Sequence, residues 1–556
     1  MKVVTVDQMR CIEAAADAAG HTYAAMMEQA GRAVAGAITA RREVRDRLAL
    51  VLVGPGNNGG DGLVTARYLV EAGARPVCYL LKPRDPAQDE NLRLAQERGL
   101  TVVLAGEDGE RRKLLYLARE ADVVVDAFLG TGARLPLRGA LPEILALVAR
   151  VLAARRSAPR ASLIPLTAAP APADCDCPFV VAVDGPSGLD YDGGALDQAA
   201  LSADLTVTFA YPKPGHFRFP GAASLGELVV ADIGTEPALA ADVPLEVVTP
   251  EMVREWLPPR PPDAHKGVFG KALVVAGSVN YTGAAYLAGA AATRAGAGLV
   301  TMALPSAIHA AVAARLAEAT YLLLPHELGV ISSSAARVVA ERMGEYDALL
   351  LGPGLGRERE TAAFVESLLG GAGGRRRLGF AGSEESEPLP FLLPPLVVDA
   401  DGLNILARLE GWSERLPPES ILTPHPGEMA RLMGCSVGDV QADRVAVAQS
   451  QAAAWGHVIV LKGAYTVVAA PDGRAAIEPF ANPGLATAGS GDVLAGAIVA
   501  LRAQGLGAFE AAASGAYLHG LAGELARCEV GAAGMVAGDV LTLLPRAWQE
   551  TRFLCK

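Results

Sequence analysis

The chain has no charge-free apolar run of about 18 residues, the length a membrane-spanning helix needs. Its richest apolar stretch, Tyr281 to Leu299, is broken by Arg294 and several glycines. No membrane span or membrane partner is therefore expected. The opening MKVVTVDQMRCIEAAADAAG lacks the continuous apolar centre of a signal peptide. Positive charge is not in excess either: the formal net charge is -12, which leaves no footprint for nucleic acid. An anionic ligand must then be met by local cations or backbone N–H groups. Of seven cysteines only Cys175 and Cys177 are close, and no second Cys or His pair stands at zinc spacing. Free thiols in a reducing cytoplasm are expected. The phosphate-binding pattern G-x-x-x-x-G-K-[ST] does not occur, which excludes a P-loop enzyme.

What is present is globular: 51% hydrophobic and 20% charged residues in a chain of 556. At about 100–200 residues per domain, that length suggests two or three domains. Apolar runs alternate with amphipathic segments. LALVLVG (Leu48 to Gly54) leads into LVTARYLVEAG and then PVCYLL, while ADVVVDAFLG and FVVAVDGPSG continue the pattern. KALVVAGS, YDALLLGPGLG, PLVVDADGLN and HVIVLKGAYTVV repeat its style in the second half, without a fixed period. This order predicts βαβ units and parallel sheets with helices on both faces. The expected fold class is α/β with two domains, residues 1–246 and 247–556. The chain-breaking segment LPPRPPDAHKG (Leu257 to Gly267) marks the expected junction region. Two insertions, about 153–177 and 370–390, read as surface loops.

In the first half, GPGNNGGDG (Gly54 to Gly62) stands where a strand gives way to a helix. Its glycines allow a tight turn and close ligand approach, and the helix start offers N–H groups to an anion. Gly54, Gly56 and Gly59 satisfy G-x-G-x-x-G. The second strand, however, runs into Lys82 and Pro83 rather than the acid that a dinucleotide fold wants. Asn57, Asn58 and Asp61 can hold a ligand or merely form Asx turns. DAFLGTG (Asp126 to Gly132) and DGPSG (Asp184 to Gly188) add two more strand-end loops. Carboxyl ends of parallel strands share one rim, so Asn58, Asp126 and Ser187 can meet there as an all-oxygen set suited to a hard cation.

These motifs, with KPGH (Lys213 to His216), resemble the N-terminal domain of the bifunctional NAD(P)H-hydrate repair enzymes over about 3–236. The resemblance implies a Rossmann-like three-layer domain that interconverts the R and S epimers of hydrated NADH or NADPH. It implies substrate contacts by Asn57, Asn58, Gly59, Gly60 and Asp61, by Gly130, Thr131, Gly132, Ala133, Arg134, Leu135 and Pro136, and by Asp184. It also implies potassium on Asn58, Asp126 and Ser187.

In the second half, NPGLATAGSGDVLAG (Asn482 to Gly496) places Gly489, Ser490 and Gly491 just before an apolar helix. Exposed N–H groups there form a phosphate-binding turn. Asp492 reads as a base at its mouth, kept ionised by the helix dipole, with an N-cap role as the alternative. The turn resembles ribokinase-like proteins. HKGVFGKALVVAGS, GAGLVT, LLGPGLG, VVDADGLN, LTPHPGEMARL and LKGAYTVV narrow the likeness to the dehydratase domain of the same repair family, over about 247–544. The resemblance implies ADP contacts by Lys462, Gly463, Ala464, Tyr465 and Thr466, and by Asn482, Gly489, Ser490 and Gly491. Hydrated nucleotide would touch Gly354, then His425, Pro426, Gly427, Glu428, Met429, Ala430 and Arg431, and finally Asp492. Glu428 takes the place of an acid that organises magnesium and its waters. Three readings stay open: His425 as a turn residue, Asp399 and Asp401 as strand ends, and Lys462 as a solvated lysine.

The expected function is metabolite repair: epimerisation in front, then ADP-driven dehydration of the S epimer behind, with Asp492 catalytic. Potassium, magnesium and the co-substrate ADP are the implied small partners, and a homo-oligomer is expected. One alternative is a vitamin or sugar kinase, which the G-x-G-D turn alone would allow. The other is a nucleotide-binding scaffold with an inactive front domain.

Overall fold

The computed structural model describes residues 1–156, 177–370 and 391–553. Residues 157–176 of the first insertion and 371–390 of the second lie outside them. Two compact units are present, Lys2–Val243 and Pro244–Lys556, with Met1 grouped with the latter. The change of unit comes at Pro244 rather than after Glu246, and ahead of the Pro-rich segment. The reason is local: Leu245–Val247 is a strand and pairs with Ala475–Ile477 of the second sheet.

The first unit holds seven strands: β1 (Leu48–Val53), β2 (Arg75–Leu80), β3 (Thr101–Leu104), β4 (Val123–Ala127), β5 (Phe179–Val183), β6 (Leu205–Phe209) and β7 (Glu227–Ala231). Their order is β3-β2-β1-β4-β5-β6-β7, with every neighbour parallel. Ala49, Val51 and Val53 of β1 enter a core shared with helices Val6–Ala18, Tyr23–Thr39 and Asn57–Glu71. Leu50 and Leu52 enter the opposite core, built with helices Arg112–Glu120 and Leu141–Arg156. Both faces are dry, which is why LALVLV is continuously apolar rather than alternating. The result is the three-layer, Rossmann-like arrangement expected of the front half.

Strand order reverses between β1 and β4, and such a reversal opens a crevice at the carboxyl ends. Leu52 pairs in register with Asp126, so the end of β1 and the β4 aspartate are level. Gly54 follows directly. A Cβ there would stand 1.7 Å from the Phe128 carbonyl oxygen, so no other residue fits.

The second unit has a ten-stranded sheet. In spatial order the strands are Thr320–Leu324, Leu299–Pro305, Lys271–Val275, Ala348–Leu351, Leu396–Val398, Ile421–Leu422, Val458–Leu461, Val467–Ala469, Ala475–Ile477 and Leu245–Val247. The first seven are mutually parallel. Val467–Ala469 turns back antiparallel on both neighbours. One face is covered by helices Thr282–Arg294, Ser490–Ala503, Ala508–Val530 and Ala537–Arg552. Helices Arg359–Gly370, Pro426–Met433 and Arg444–Trp455 cover the other.

No helix among the described residues is long and apolar enough to cross a membrane. Cys11, Cys78, Cys435 and Cys528 are free thiols, as expected, whereas Cys177 is disulfide-bonded.

The strand Leu245–Val247 yields a test. A fragment beginning at Pro244 keeps it, together with Val248, which is 1% exposed. A fragment beginning at Pro250 loses both and uncovers Ala475–Ile477. The shorter fragment should be less stable by about 3 kcal/mol or more, given about 1.5–3 kcal/mol per buried valine, as read by urea denaturation.

Candidate active sites

The first unit's site lies on the carboxyl rim beside β1 and β4. Helix Asn57–Glu71 starts directly after the glycine turn, with Gly56 as its N-cap. This puts Asn57 to Asp61 in its first turns. Arg84, from the segment after β2, donates through Nη1 to the carbonyls of Gly54 (2.6 Å) and Gly56 (3.1 Å). A cation thus backs the turn where a dehydrogenase fold would carry its acid.

Asp126 is fully buried. It accepts the Ser187 hydroxyl (2.6 Å) and backbone N–H (2.8 Å), and more distantly the Phe128 N–H. Burial still lifts its carboxyl above the usual range. Asn58 faces Gly130, where a Cβ would stand 3.1 Å from its Oδ1. Among the described residues its Nδ2 is buried without a partner. Asp126 and Ser187 are therefore directly joined, and Asn58 sits against the loop that follows β4. Of residues 130–136, Gly132, Arg134 and Pro136 are exposed, so this loop forms an open rim.

Asp184, just beyond β5, has φ +63°. Its Oδ1 receives Lys213 Nζ (2.7 Å) and Thr208 Oγ1 (2.8 Å). Lys213 is itself 1% exposed. Burial would raise the Asp184 carboxyl, but the Lys213 ammonium holds it below its ordinary value. Asp61 behaves oppositely: burial, then Asp184 and Glu13, push it well upward. The neighbouring His216 is pushed down to about 3, chiefly by burial.

The second unit's site forms where four strand ends and two helix starts converge. Lys462 Nζ bonds to Asp399 Oδ1 at 2.6 Å and lies 3.8 Å from Glu428 Oε2. Thr423 Oγ1 donates to the same Asp399 oxygen (2.7 Å). Burial disfavours the Lys462 ammonium, yet attraction from Asp399 and Glu428 holds its pKa above the ordinary lysine value. Lys462 is thus no solvated strand end, and Asp399 does more than end a strand. Ala400 between the two aspartates has φ +50° and ψ −117°, a conformation that strains any residue with a Cβ. Asp401 accepts Gly356 N–H and Arg357 Nε, each at 3.0 Å.

Helix Ser490–Ala503 begins with Gly489 as N-cap at φ +86°. Asp492 falls two residues into the helix and makes no capping bond, so the N-cap alternative fails. The expectation that the helix dipole keeps it ionised also needs correction. Burial, then Asp399, push its carboxyl up to about 7 against the pull of Lys462, with Asp401 and Glu428 adding to the rise. Gly491 matters for room: a Cβ there would stand 3.4 Å from Lys462 Nζ. His519 holds Ser490 through Nε2, 3.0 Å from both its hydroxyl and its carbonyl.

His425 caps helix Pro426–Met433: its Nδ1 accepts Gly427 N–H (3.0 Å), while Glu428 Oε2 accepts His425 N–H (2.9 Å). Arg431 donates to Asn404 (2.6 Å). Gly354, at φ +63°, is held by Ser278 Oγ to its carbonyl (2.9 Å). Thr466 closes the turn from Gly463 to Thr466 by donating to Gly463 O (2.9 Å).

Some expected contacts have only backbone to offer. Met429 and Ala430 are buried in the core. The Asn482 amide is spent on Gly484 N–H and Gly523 O, both at 2.8 Å. Sequence reasoning missed Lys213, Thr208, Arg84, Thr423 and His519. Only Lys213 gave a signal, a lysine set between apolar and proline residues.

Two family models match: "YjeF-related protein N-terminus" over residues 23–215 and "NAD(P)H-hydrate dehydratase" over 272–546. A bifunctional NAD(P)H-hydrate repair enzyme of Moorella thermoacetica is 41% identical, the match covering 94% of this chain and 91% of that one. The chain belongs to the bifunctional NAD(P)H-hydrate repair enzymes. The Escherichia coli member is 34% identical, with 96% and 91% covered. An ADP/ATP-dependent NAD(P)H-hydrate dehydratase from Bacillus subtilis, co-crystallised with ATP/Mg2+, is 32% identical. It covers 55% of this chain, which covers 98% of it, at a TM-score of 0.45. This repair enzyme carries an isomerase-type domain and a lyase-type domain, and the two matches fall on the first and second units respectively.

The expected role of Asp492 as the base carries a pH signature that can be measured. A base must be ionised to accept a proton, so dehydration kcat/KM should rise with pH through a limb centred near 7. Asp399→Asn removes a like charge and should move that limb to lower pH. A limb unmoved by that change would mean that Asp492 does not set it.

Proposed function

We propose that the first unit interconverts the R and S epimers of hydrated NADH and NADPH, and that the second unit dehydrates the S epimer with ADP. The carrying observation is the Asp492–Lys462–Asp399–Glu428 cluster at the glycine turn of helix Ser490–Ala503. Among the described residues the N–H groups of Gly489 and Gly491 have no partner and suit the phosphates of ADP, while Ser490 N–H turns back to the Thr487 carbonyl. Asp492 accepts the proton of the C6 hydroxyl as that oxygen attacks the terminal phosphoryl group. Phosphate then leaves with the C6–O electron pair, the C5–H pair closes C5=C6 as its proton passes to the departing phosphate, and NADH, AMP and phosphate are the products. Phosphorylation serves because hydroxide leaves poorly and phosphate leaves well. Lys462 holds the acidic groups in place and offsets phosphate charge.

Among the described residues no three His, Cys, Asp or Glu side chains converge as metal ligands. Magnesium would accordingly ride on the nucleotide phosphates, with Glu428 ordering its waters. In the first unit, a fully buried Asp126 carboxyl bonded to Ser187, and the Asn58 Oδ1 that faces Gly130, are oxygen donors that fit a large monovalent cation. Potassium would be held by Asn58, Asp126 and Ser187 and would supply positive charge beside the substrate.

A kinase reading makes a different product, a stable phosphate ester. Incubation with hydrated NADH and ADP should restore NADH absorbance and release inorganic phosphate in equal amounts. Recovery of a phosphorylated substrate instead would favour the kinase. Asp492→Asn should slow NADH regeneration by about 10²–10⁴-fold with ADP affinity little changed and epimerisation intact. Loss of ADP binding with normal turnover at saturating ADP would remove Asp492 from catalysis.

Asp126→Ala should abolish potassium dependence of epimerisation, weaken substrate binding, and leave ADP-driven turnover of S substrate near normal. Unchanged potassium titration in that variant would count against the cation site.

A further inference from the structure

We propose that Asp61 and Asp184 are the acid and the base of the epimerisation, with Lys213 and Thr208 as the residues that position Asp184. This rests on the reading of the first unit as the epimerase.

The geometry separates the two carboxyls. Asp184 is 6% exposed and fixed in a left-handed backbone conformation. Both of its side-chain bonds fall on one oxygen, Oδ1, from Lys213 and Thr208. Among the described residues Oδ2 receives no hydrogen bond, and an anchored carboxylate with one free oxygen is a base held ready. Asp61 is 8% exposed, lies in the first turns of helix Asn57–Glu71, and its carboxyl receives no hydrogen bond among the described residues. A buried carboxyl with neither cation nor donor beside it is held in its acid form.

The electrostatics agree. Asp61 is raised well above the ordinary range and Asp184 is lowered, with Asp184 itself contributing to the rise at Asp61. Environments that push two neighbouring groups apart assign acid and base. Glu13, His216 and Tyr191 are the other titratable groups around the pair. Glu13 is raised, chiefly by burial; Tyr191 is raised by burial, Asp184 and Asp126; and His216 is held neutral. None of the three offers an ionised base and a free acid together.

The reaction needs both. C6 of the hydrated ring bears a hydroxyl and the ring nitrogen N1, so it is the nitrogen counterpart of a hemiacetal carbon. Asp184 takes the hydroxyl proton, and the O–H electron pair closes C6=O. The C6–N1 bond breaks, its pair goes to N1, and N1 takes the Asp61 proton. Rotation about C5–C6 presents the other carbonyl face. N1 then attacks C6, its proton returns to Asp61, and the oxygen recovers the proton held by Asp184. The pair ends as it began, so no further acid, base or oxidant is required.

The test uses the full chain, purified R epimer of hydrated NADH and no nucleotide, with S epimer followed by chromatography. Asp61→Asn and Asp184→Asn should each cut kcat by about 10²–10⁴-fold while KM changes less than tenfold. The pH profile should lose its alkaline limb in the first variant and its acid limb in the second. A structural role would leave both limbs in place. Dehydration of S epimer with ADP by the same preparations reports an intact chain. If Asp184→Asn proves insoluble, Asp61→Asn alone decides. Wild-type protein that does not exceed the spontaneous rate would overturn the epimerase reading itself. Wild-type activity with either variant within threefold of it would overturn this assignment and leave that reading standing.

Discussion

A parallel strand covered by helices on both faces has no wet surface along its length, so its polar residues are forced to its ends. This constraint shapes both units. In the first sheet β4 and β5 are buried throughout and β1 from Ala49 onward, and Asn58, Asp126, Asp184 and Ser187 all lie at or beyond their carboxyl ends. In the second, Val397 and Val398 lead to Asp399, Ile421 and Leu422 to Thr423, and Val458 to Leu461 lead to Lys462. The cores that stabilise the sheets are also what concentrates chemistry on one rim.

The two rims handle buried charge differently. Asp399 is compensated within the chain by Lys462 at 2.6 Å, and Asp184 by Lys213 at 2.7 Å. Such pairs mainly secure geometry, because desolvation consumes much of the attraction. Asp61, Asp126 and Asp492 have no bonded cation among the described residues, and each has a raised pKa. A rim thus combines anchored anions with protonatable ones. The anchored set fixes position, while the other set is free to exchange protons or meet an incoming cation.

Much of this was legible in the sequence. Uninterrupted apolar runs revealed two-faced burial, and GPGNNGGDG and AGSGD marked the turns where ligands approach a helix start. Asp126 with Ser187, and Lys462 with Asp492, were recognisable one residue at a time. What escaped were pairings across long separations. Nothing local in VVDADG says that Lys462, sixty-odd positions on, will reach Asp399, nor that Lys213 will fold back on Asp184. The ionisation of Asp492 was misjudged for a related reason. The helix dipole is readable from sequence, but burial beside three other acids belongs to the assembled fold. Burial also removed Met429 and Ala430 side chains from the rim, because a motif printed as a continuous run points only one helical face at a ligand.

Ala400 shows what such a rim costs. Its left-handed backbone is held between an Asp399 tied to Lys462 and Thr423 and an Asp401 tied to Gly356 and Arg357. Strain of this kind amounts to about 1–3 kcal/mol. A glycine there would relax it and leave the two aspartates freer to wander, so selection for stability alone and selection for turnover pull this position in opposite directions.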